Sequence, residues 1–302
     1  MSVPAAYLGV IIIWSTTPLA IQWSSQGWGF VFGAAGRMLI GMVFCLSLLV
    51  LINKKLSWQR QARWTYVAAG SGIYGAMLCV YWGAQYIPSG LVATVFGLTP
   101  VVTGVLAALI LKESFGVTKL LGALLGITGL FIIFQSDISL SNDVWKGVCG
   151  ILMAVFLHAG SAVWMKNIDA QLPALSITAG GLLFAVPLYL LTWWIVDGSL
   201  HMDYLASTAA LKTGAALMYL GVFGTVIGFS LYFYVLKNIE ANKVALITLV
   251  TPVLALLIGH LLNDEPVLLS VWLGAACIIL AISVYQWGEQ AHRLVDVFSK
   301  SS

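Results

Sequence analysis

Residues 98–113 read LTPVVTGVLAALILKE, and residues 250–265 read VTPVLALLIGHLLNDE. Both are largely apolar runs with Thr-Pro near the start and a glutamate at the end. A shift of 152 positions aligns five identical residues in them: Thr99 with Thr251, Pro100 with Pro252, Val101 with Val253, Leu109 with Leu261, and Glu113 with Glu265. A repeated element indicates a repeated architecture, so we expect the fold to contain two copies of one unit.

The composition indicates a membrane protein. Hydrophobic residues make up 61% of the 302 residues and charged residues only 8%, whereas a soluble domain is about a quarter charged. Long segments carry no charge at all, such as residues 1–36, 64–111 and 213–236. One crossing of the hydrocarbon layer takes about 20 helical residues, and 64–111 is long enough for two. We therefore predict an all-α membrane protein that crosses the bilayer many times.

Charges, turn residues and aromatic edges divide the chain into ten predicted transmembrane helices. The segment 64–111 is split at the turn YIPSG, residues 86–90, where Pro88 and Gly90 favour a tight turn. The predicted spans are 4–24, 30–52, 64–86, 90–111, 117–134, 147–165, 173–195, 213–236, 241–262 and 268–287.

The positive charges predict the orientation. Eleven Lys and Arg residues fall on the side of the termini, two (Lys146 and Lys212) on the other side, and Arg37 within span 2. Because cytoplasmic loops carry the excess of Lys and Arg, we predict that both termini are cytoplasmic. The group of eleven comprises Lys54, Lys55, Arg60, Arg63, Lys112, Lys119, Lys166, Lys237, Lys243, Arg293 and Lys300.

The Thr-Pro runs lie in spans 4 and 9, so the repeated unit is five helices long. Five is an odd number, so the second copy must enter the membrane inverted. We predict a first repeat over residues 1–135, an inverted second repeat over 145–288, and a cytoplasmic tail over 289–302. Inverted repeats with a site near the midplane between them are typical of secondary transporters.

Sequence motifs for other functions are weak here. GSGIYG at 70–75 matches a dinucleotide-binding pattern, but it lies within an apolar span and the next acidic residue is Glu113. These glycines fit close helix packing better. The four cysteines lie apart without a C-x-x-C pair, and nothing assembles a nucleophile with a base. We predict no enzyme activity, no metal and no cofactor.

Ionisable residues inside a membrane are costly and are therefore functional candidates. Arg37 lies about eight residues into span 2, where it either snorkels to the interface or contacts a substrate carboxylate or a gate. His158 lies near the middle of span 6. It is either a hydrogen-bonded packing residue or a ligand for substrate or protons. No Asp or Glu falls within a predicted span, which favours neutral, zwitterionic or anionic substrates over cations.

Other polar and aromatic side chains are candidates for the wall of a substrate cavity, with packing as the alternative role of each. Trp14, Pro18 and Gln22 share one face of span 1, with Thr17 beside them. Pro100 and Pro252 interrupt backbone hydrogen bonding at equivalent positions of the two repeats. Each proline is either a hinge or the cause of a fixed kink. The full set of cavity candidates is Trp14, Thr17, Gln22, Arg37, Tyr74, Tyr81, Thr99, His158, Trp164 and Thr251.

These features together resemble the drug/metabolite transporter superfamily, EamA-type branch. The motifs are W-S-x-x-P at 14–18, R-M-L-I-G at 37–41, and T-P-V at 99–101 followed by L-K-E at 111–113. The resemblance implies two EamA repeats around a cavity lined by spans 1, 3, 4, 6, 8 and 9. It also implies packing or dimerising roles for spans 5 and 10, and export of amino acids, aromatic ones included, from bacteria.

The predicted function is a secondary transporter in a bacterial inner membrane that exports small amino acids or related metabolites by alternating access. One alternative is proton-coupled uptake or efflux of drugs or metabolites, although span 1 lacks the glutamate of the small multidrug relatives. A second alternative is a membrane scaffold that does not transport. The expected partners are a small-molecule substrate, the bilayer and a second copy of the chain.

Overall fold

The structure is a computed structural model, and it describes residues 2–112, 116–135, 143–196, 198, 208–238, 246–265 and 268–299. Helices dominate these residues, and no strand occurs among them. The elements of the first half are α1 (Val3–Ser24), α2 (Gly29–Leu51), α3 (Arg60–Gly83), α4 (Ser89–Phe96), α5 (Thr99–Leu111) and α6 (Val117–Gln135). Those of the second half are α7 (Val144–Ile168), α8 (Ala174–Val196), α9 (Thr208–Tyr219), the π-helix π1 (Leu220–Ile227), α10 (Gly228–Asn238), α11 (Leu246–Asn263) and α12 (Leu269–Ser299).

Helices occupy all ten predicted spans. Spans 4 and 8 are composite, because α4 and α5 share span 4, and α9, π1 and α10 share span 8. Within the residues that the structure describes, six stretches are long and apolar enough to cross a membrane: Val3–Ser24, Gly29–Leu51, Ser89–Leu111, Val144–Ile168, Ala174–Val196 and Ala210–Tyr232. Large apolar side chains such as Leu109 and Trp194 are more than two-thirds exposed, as expected of surfaces that face lipid.

The end of span 10 differs from the prediction. α12 continues to Ser299, past the predicted boundary between span and tail at residue 288. The sequence after Gly288 mixes charged and apolar residues without proline, so nothing in it stops a helix. The predicted tail is therefore helical over most of its length.

The packing relates the two halves of the chain symmetrically. α3 of the first half packs against α7 and α8 of the second, and π1 and α10 of the second half pack against α1, with π1 also against α2. α4 packs against α11, and α6 against α12. At the α6–α12 contact, a Cβ added to Gly129 would lie 2.8 Å from the carbonyl oxygen of Gly274, so the two backbones touch.

The two Thr-Pro elements face each other but have different shapes. Span 4 breaks at Gly97 and Leu98, and the Thr99 hydroxyl donates a 2.6 Å hydrogen bond to the Phe96 carbonyl that Pro100 leaves free. α11, by contrast, continues unbroken through Pro252. A Cβ on Gly97 would lie 3.5 Å from Cγ of Pro252, which places the break of one repeat beside the proline of the other.

Candidate functional site

Four rings from both halves of the chain meet between the repeats. Trp14 of α1 lies against Tyr232 of α10, with ring centroids 4.9 Å apart. Tyr232 lies 6.4 Å from the His158 ring of α7, and His158 lies 5.5 Å from the Phe96 ring at the end of α4. We call these four residues the interface cluster. Two come from each repeat, so the cluster spans the surface along which the repeats meet.

The backbone around the cluster is shaped by local hydrogen bonds. In α1 the hydroxyls of Ser15 and Thr17 donate to the carbonyls of Ile11 and Ile13, one turn earlier, at 2.7 Å each. These bonds satisfy the hydroxyls within the helix just before Pro18. A Cβ on Gly228, where π1 gives way to α10, would lie 3.7 Å from Nε1 of Trp14. The glycine therefore lets α10 approach the indole.

His158 contacts neighbouring helices through its ring and not through hydrogen bonds. Its imidazole makes no hydrogen bond to any residue within the described part of the chain, and its neighbours are Phe96 and Tyr232. The hypothesis of a hydrogen-bonded packing histidine is therefore not what the structure shows. An imidazole can both donate and accept a hydrogen bond, so it offers a ligand both roles between aromatic faces.

Arg37 lies in a second polar group, between α2, α3 and π1. Its side chain is only 2% exposed, and its Nε donates a 2.9 Å hydrogen bond to the Thr225 hydroxyl. The Tyr81 hydroxyl lies near the guanidinium, and Ser24 donates a hydrogen bond to that hydroxyl at 3.2 Å. The hypothesis that Arg37 snorkels to the interface is wrong, because these partners hold the guanidinium inside the bundle.

The π-helical turn positions Thr225 for this contact. The Thr225 hydroxyl donates to the carbonyl of Leu220, five residues earlier, at 2.9 Å, so its lone pairs face Arg37. Nη1 of Arg37 has no hydrogen-bond partner among the residues that the structure describes. A Cβ on Gly224 would lie 3.2 Å from Nη2. π-helical turns occur frequently at functional sites, and here the turn carries the partner of a buried charge.

Glu265 organises the end of the molecule where α1 and α11 finish and α4 begins. Its side chain is buried and accepts hydrogen bonds from Ser89 Oγ at 3.0 Å, from Gly90 N at 3.4 Å and from Asn263 Nδ2 at 3.1 Å. The Trp23 indole donates to Asn263 Oδ1 at 3.0 Å. These residues, which we call the Glu265 network, connect three helices, and the carboxylate faces the positive N-terminal end of α4.

A cavity of about 530 Å³ lies beside the Glu265 network. Gln22 lies in its wall, and its side-chain amide donates to the carbonyls of Ile87 and Ala84 at 2.8 and 3.4 Å. The lining residues are Gln22, Ser25, Gln26, Ala84, Gln85, Tyr86, Ile87, Pro88, Asn263 and Glu265. Gln22 therefore belongs to this end cavity and not to the interface cluster.

The remaining predicted cavity residues are dispersed. Tyr74 turns toward α8, where its hydroxyl lies 2.7 Å from that of Thr192. Trp164 is 38% exposed and pairs with the exposed Trp64 at 6.3 Å, so it lies at the lipid-facing surface. Thr99 caps the break in span 4, and Thr251 is buried beside Pro252. Of the ten predicted residues, the structure places only Trp14 and His158 in the interface cluster.

Several important residues were not predicted. Tyr232 and the ring of Phe96 complete the interface cluster, Thr225 holds Arg37, and Glu265 joins three helices. In the sequence Glu265 marks only the end of a run, whereas the structure buries it as the acceptor that joins three helices.

Comparison with known proteins places this architecture in a family. The sequence model of the EamA-like transporter family matches the chain twice, over residues 3–135 and 145–286. These ranges lie within the two predicted repeats. The double match, together with the helices described above, confirms the predicted all-α membrane fold built from two repeats.

Curated relatives match along almost the whole chain. An uncharacterized transporter of Archaeoglobus fulgidus is 23% identical, covering 91% of this chain and 95% of the relative. The transporter YoaV of Bacillus subtilis is 25% identical, with 91% and 93% covered, and the inner membrane transporter YedA of Escherichia coli is 25% identical, with 94% and 90% covered. A solved crystal structure with 18% identity superposes with a TM-score of 0.68 over 97% of this chain and 98% of that one, which supports the fold alone.

Proposed function

Because the chain belongs to the EamA-like transporter family, we propose that it exports small amino acids, aromatic and other neutral ones included, by alternating access. The chain is a multi-pass membrane transporter and not an enzyme. The proposal adds the substrate class, the direction and the mechanism. It also adds a bacterial inner membrane as the location, cytoplasmic termini and a homodimer formed through spans 5 and 10.

The observation that carries the proposal is the interface cluster. Alternating access needs a binding site at the boundary between two units, so that either face can open toward it. Trp14, Phe96, His158 and Tyr232 lie at that boundary and come from both repeats. Their rings offer apolar faces, and the imidazole offers hydrogen bonds. Such a surface suits a ligand with an apolar body and a polar head.

The distribution of acidic residues favours amino acids over cationic drugs. Among the residues whose side chains the structure describes, the acidic ones are Asp143, Asp169, Asp264 and Glu265. All four lie at or beyond helix ends rather than within the spans. A cation site in a membrane commonly uses an intramembrane carboxylate. Coupled efflux of cationic drugs therefore finds no support at the interface cluster.

The different shapes of the two Thr-Pro elements support alternating access. In an inverted repeat, the two units exchange conformations when the transporter changes its open face. Span 4 is broken at Gly97, and its counterpart α11 is continuous. We propose that the opposite state has a straighter span 4 and a bent α11, with Pro100 and Pro252 as the hinges. The Glu265 network then closes the outer end in the state described here.

Counterflow in proteoliposomes tests the proposed function. Purified protein is reconstituted in vesicles that are preloaded with one unlabelled amino acid, and uptake of the labelled form is followed for each member of a neutral panel. We expect transient accumulation of at least one labelled amino acid, absent from protein-free vesicles. Correctly folded protein that exchanges no panel member would overturn amino-acid export and leave the family assignment intact.

The scaffold alternative predicts a different result. A scaffold exchanges no solute of any class, whereas a transporter with another substrate exchanges a member of a wider panel. Counterflow with organic acids, amines and nucleobases, run on the same vesicles, separates these two cases. Exchange of any of these compounds refutes the scaffold.

A further inference from the structure

We propose that the guanidinium of Arg37 binds the carboxylate of the transported substrate, while the interface cluster receives the apolar part. This inference rests on the proposed function, because it names the substrate group that the site recognises. Its starting point is the buried guanidinium with one unused nitrogen. Nη1 of Arg37 has no partner among the described residues, although the side chain is only 2% exposed.

The charge of Arg37 is not neutralised by its neighbours. Thr225, Tyr81 and Ser24 supply hydroxyl groups, which can satisfy hydrogen bonds but carry no charge. The acidic side chains that the structure describes form no ion pair with it, since the salt bridge found among the described residues joins Lys146 to Asp143. A buried, unpaired charge is costly, and it is retained where a ligand completes the pair. The missing partner of a guanidinium with a free nitrogen is an anion.

The geometry favours a planar, two-oxygen anion. Guanidinium groups bind carboxylates through two parallel hydrogen bonds, which use two nitrogens on one edge. Nε donates to Thr225, so a carboxylate that uses two nitrogens must approach the end of the guanidinium that carries the unpartnered Nη1. Gly224 has no side chain to fill the space beside Nη2, where a Cβ would lie only 3.2 Å away. Substitution of this glycine would crowd the edge that a carboxylate needs.

Span 8 connects the Arg37 group to the interface cluster. Thr225, which holds Arg37, is followed by Gly228, which adjoins Trp14, and by Tyr232, whose ring lies against Trp14. Thr225 and Tyr232 are seven positions apart, about two helical turns, so one segment of span 8 contacts both Arg37 and Trp14. We infer that an amino acid with its carboxylate at Arg37 directs its side chain toward the four rings.

The test compares two probes of nearly the same shape, the anion 3-phenylpropionate and its neutral amide 3-phenylpropionamide. The full-length protein in detergent is heated in the presence of each, and the dissociation constant is taken from the concentration dependence of the melting temperature. A hydrogen-bonded charge pair corresponds to about a 10- to 100-fold difference in affinity. We expect the wild type to bind the carboxylate at least about tenfold more tightly than the amide.

Variants assign this preference to Arg37. Arg37→Gln should bind both probes equally, and Arg37→Lys should retain part of the preference because it keeps a charge but loses the paired geometry. Arg63→Gln, the same change at an exposed arginine, should behave as the wild type. A folded Arg37→Gln protein that still prefers the carboxylate overturns the inference. If Arg37→Gln fails to fold, the wild type decides, since equal binding of the two probes refutes the carboxylate site.

The probe measurement and the counterflow assay can fail separately. Binding of 3-phenylpropionate that depends on Arg37, without exchange of any amino acid, would support the carboxylate site and refute amino-acid export. Amino-acid exchange that Arg37→Gln leaves intact, together with equal exchange of the corresponding amides, would refute the carboxylate site and leave the proposed function standing.

Discussion

The hydroxyl of Ser89 donates a 3.0 Å hydrogen bond to the carboxylate of Glu265 and thereby joins the start of α4 to the chain that leaves α11. Gly90 and Asn263 donate to the same carboxylate, and Asn263 in turn accepts from Trp23 of α1. One buried acidic group thus holds three helices that belong to both repeats. In the transporter that we propose, these contacts must break whenever this end opens.

The first prediction concerns this network. Glu265→Gln replaces a carboxylate that accepts three hydrogen bonds with an amide that has one acceptor oxygen. At least one donor is left without its partner, so the free energy of unfolding should fall by about 1–3 kcal/mol. Equilibrium unfolding in mixed detergent micelles measures the change. The matched variant is Asp264→Asn, which makes the same change from acid to amide at the exposed neighbouring residue and should lower stability much less. Equal losses in both variants would contradict the assigned role.

The second prediction concerns the interface cluster. Trp14→Ala removes the ring that packs on Tyr232 and adjoins Gly228, so the half-saturating substrate concentration in counterflow should rise about tenfold. Trp194→Ala, at an indole that is 72% exposed on α8, is the matched control and should leave exchange unchanged. Exchange by Trp14→Ala at wild-type affinity would remove the cluster from the substrate site.

The third prediction concerns the break in span 4. Pro100→Ala restores a backbone N–H that can bond to the Phe96 carbonyl, which Thr99 now occupies. A continuous helix becomes more favourable by about one hydrogen bond, near 1 kcal/mol, so turnover should slow about fivefold while substrate affinity changes little. Single-turnover and steady-state exchange rates separate the two effects. Pro187→Ala, inside the continuous helix α8, provides the comparison. Turnover that slows equally in both variants would show that the break has no special role.

The fourth prediction concerns the packing of spans 5 and 10. In Gly129→Val the new side chain would meet the Gly274 backbone and Ile278, because even a Cβ at this position would lie 2.8 Å from the Gly274 carbonyl oxygen. Separating α6 from α12 should lower stability by about 1–3 kcal/mol. Gly214→Ala, where a Cβ meets nothing within 4 Å, should be tolerated or slightly stabilising. An equally stable Gly129→Val protein would contradict the close contact.

The sequence was sufficient for the helices and the repeat, because both are encoded by local patterns. Runs without charge mark the spans, and the Thr-Pro runs at 99 and 251 mark the two copies. Local chemistry permits the break at Gly97, since proline frees the carbonyl that Thr99 satisfies, but the same Thr-Pro pair at 251–252 lies in a continuous helix. What the pattern could not give was the different shape of the two copies, which depends on the conformational state of the whole molecule.

The site itself depends on contacts between residues far apart in the chain. Arg37 is buried because Thr225, 188 residues later, accepts its hydrogen bond, and no pattern within span 2 indicates this partner. Tyr232 follows a π-helical turn, which changes the rotation of the residues after it, and no local pattern in span 8 predicts its contact with Trp14. Trp164 shows the reverse case, because an aromatic residue on a cavity-lining span turned out to face lipid.

The decisive measurement is substrate protection of cysteines placed on either side of the repeat boundary. Thr17→Cys in α1 and His158→Cys in α7 are made singly in a protein without its four native cysteines, with Lys54→Cys in an exposed loop as the control. We expect a substrate identified by counterflow to slow thiol modification at positions 17 and 158 and to leave position 54 unaffected. Modification at 17 and 158 that proceeds at the same rate with saturating substrate would place the site elsewhere and contradict a substrate site between the two repeats.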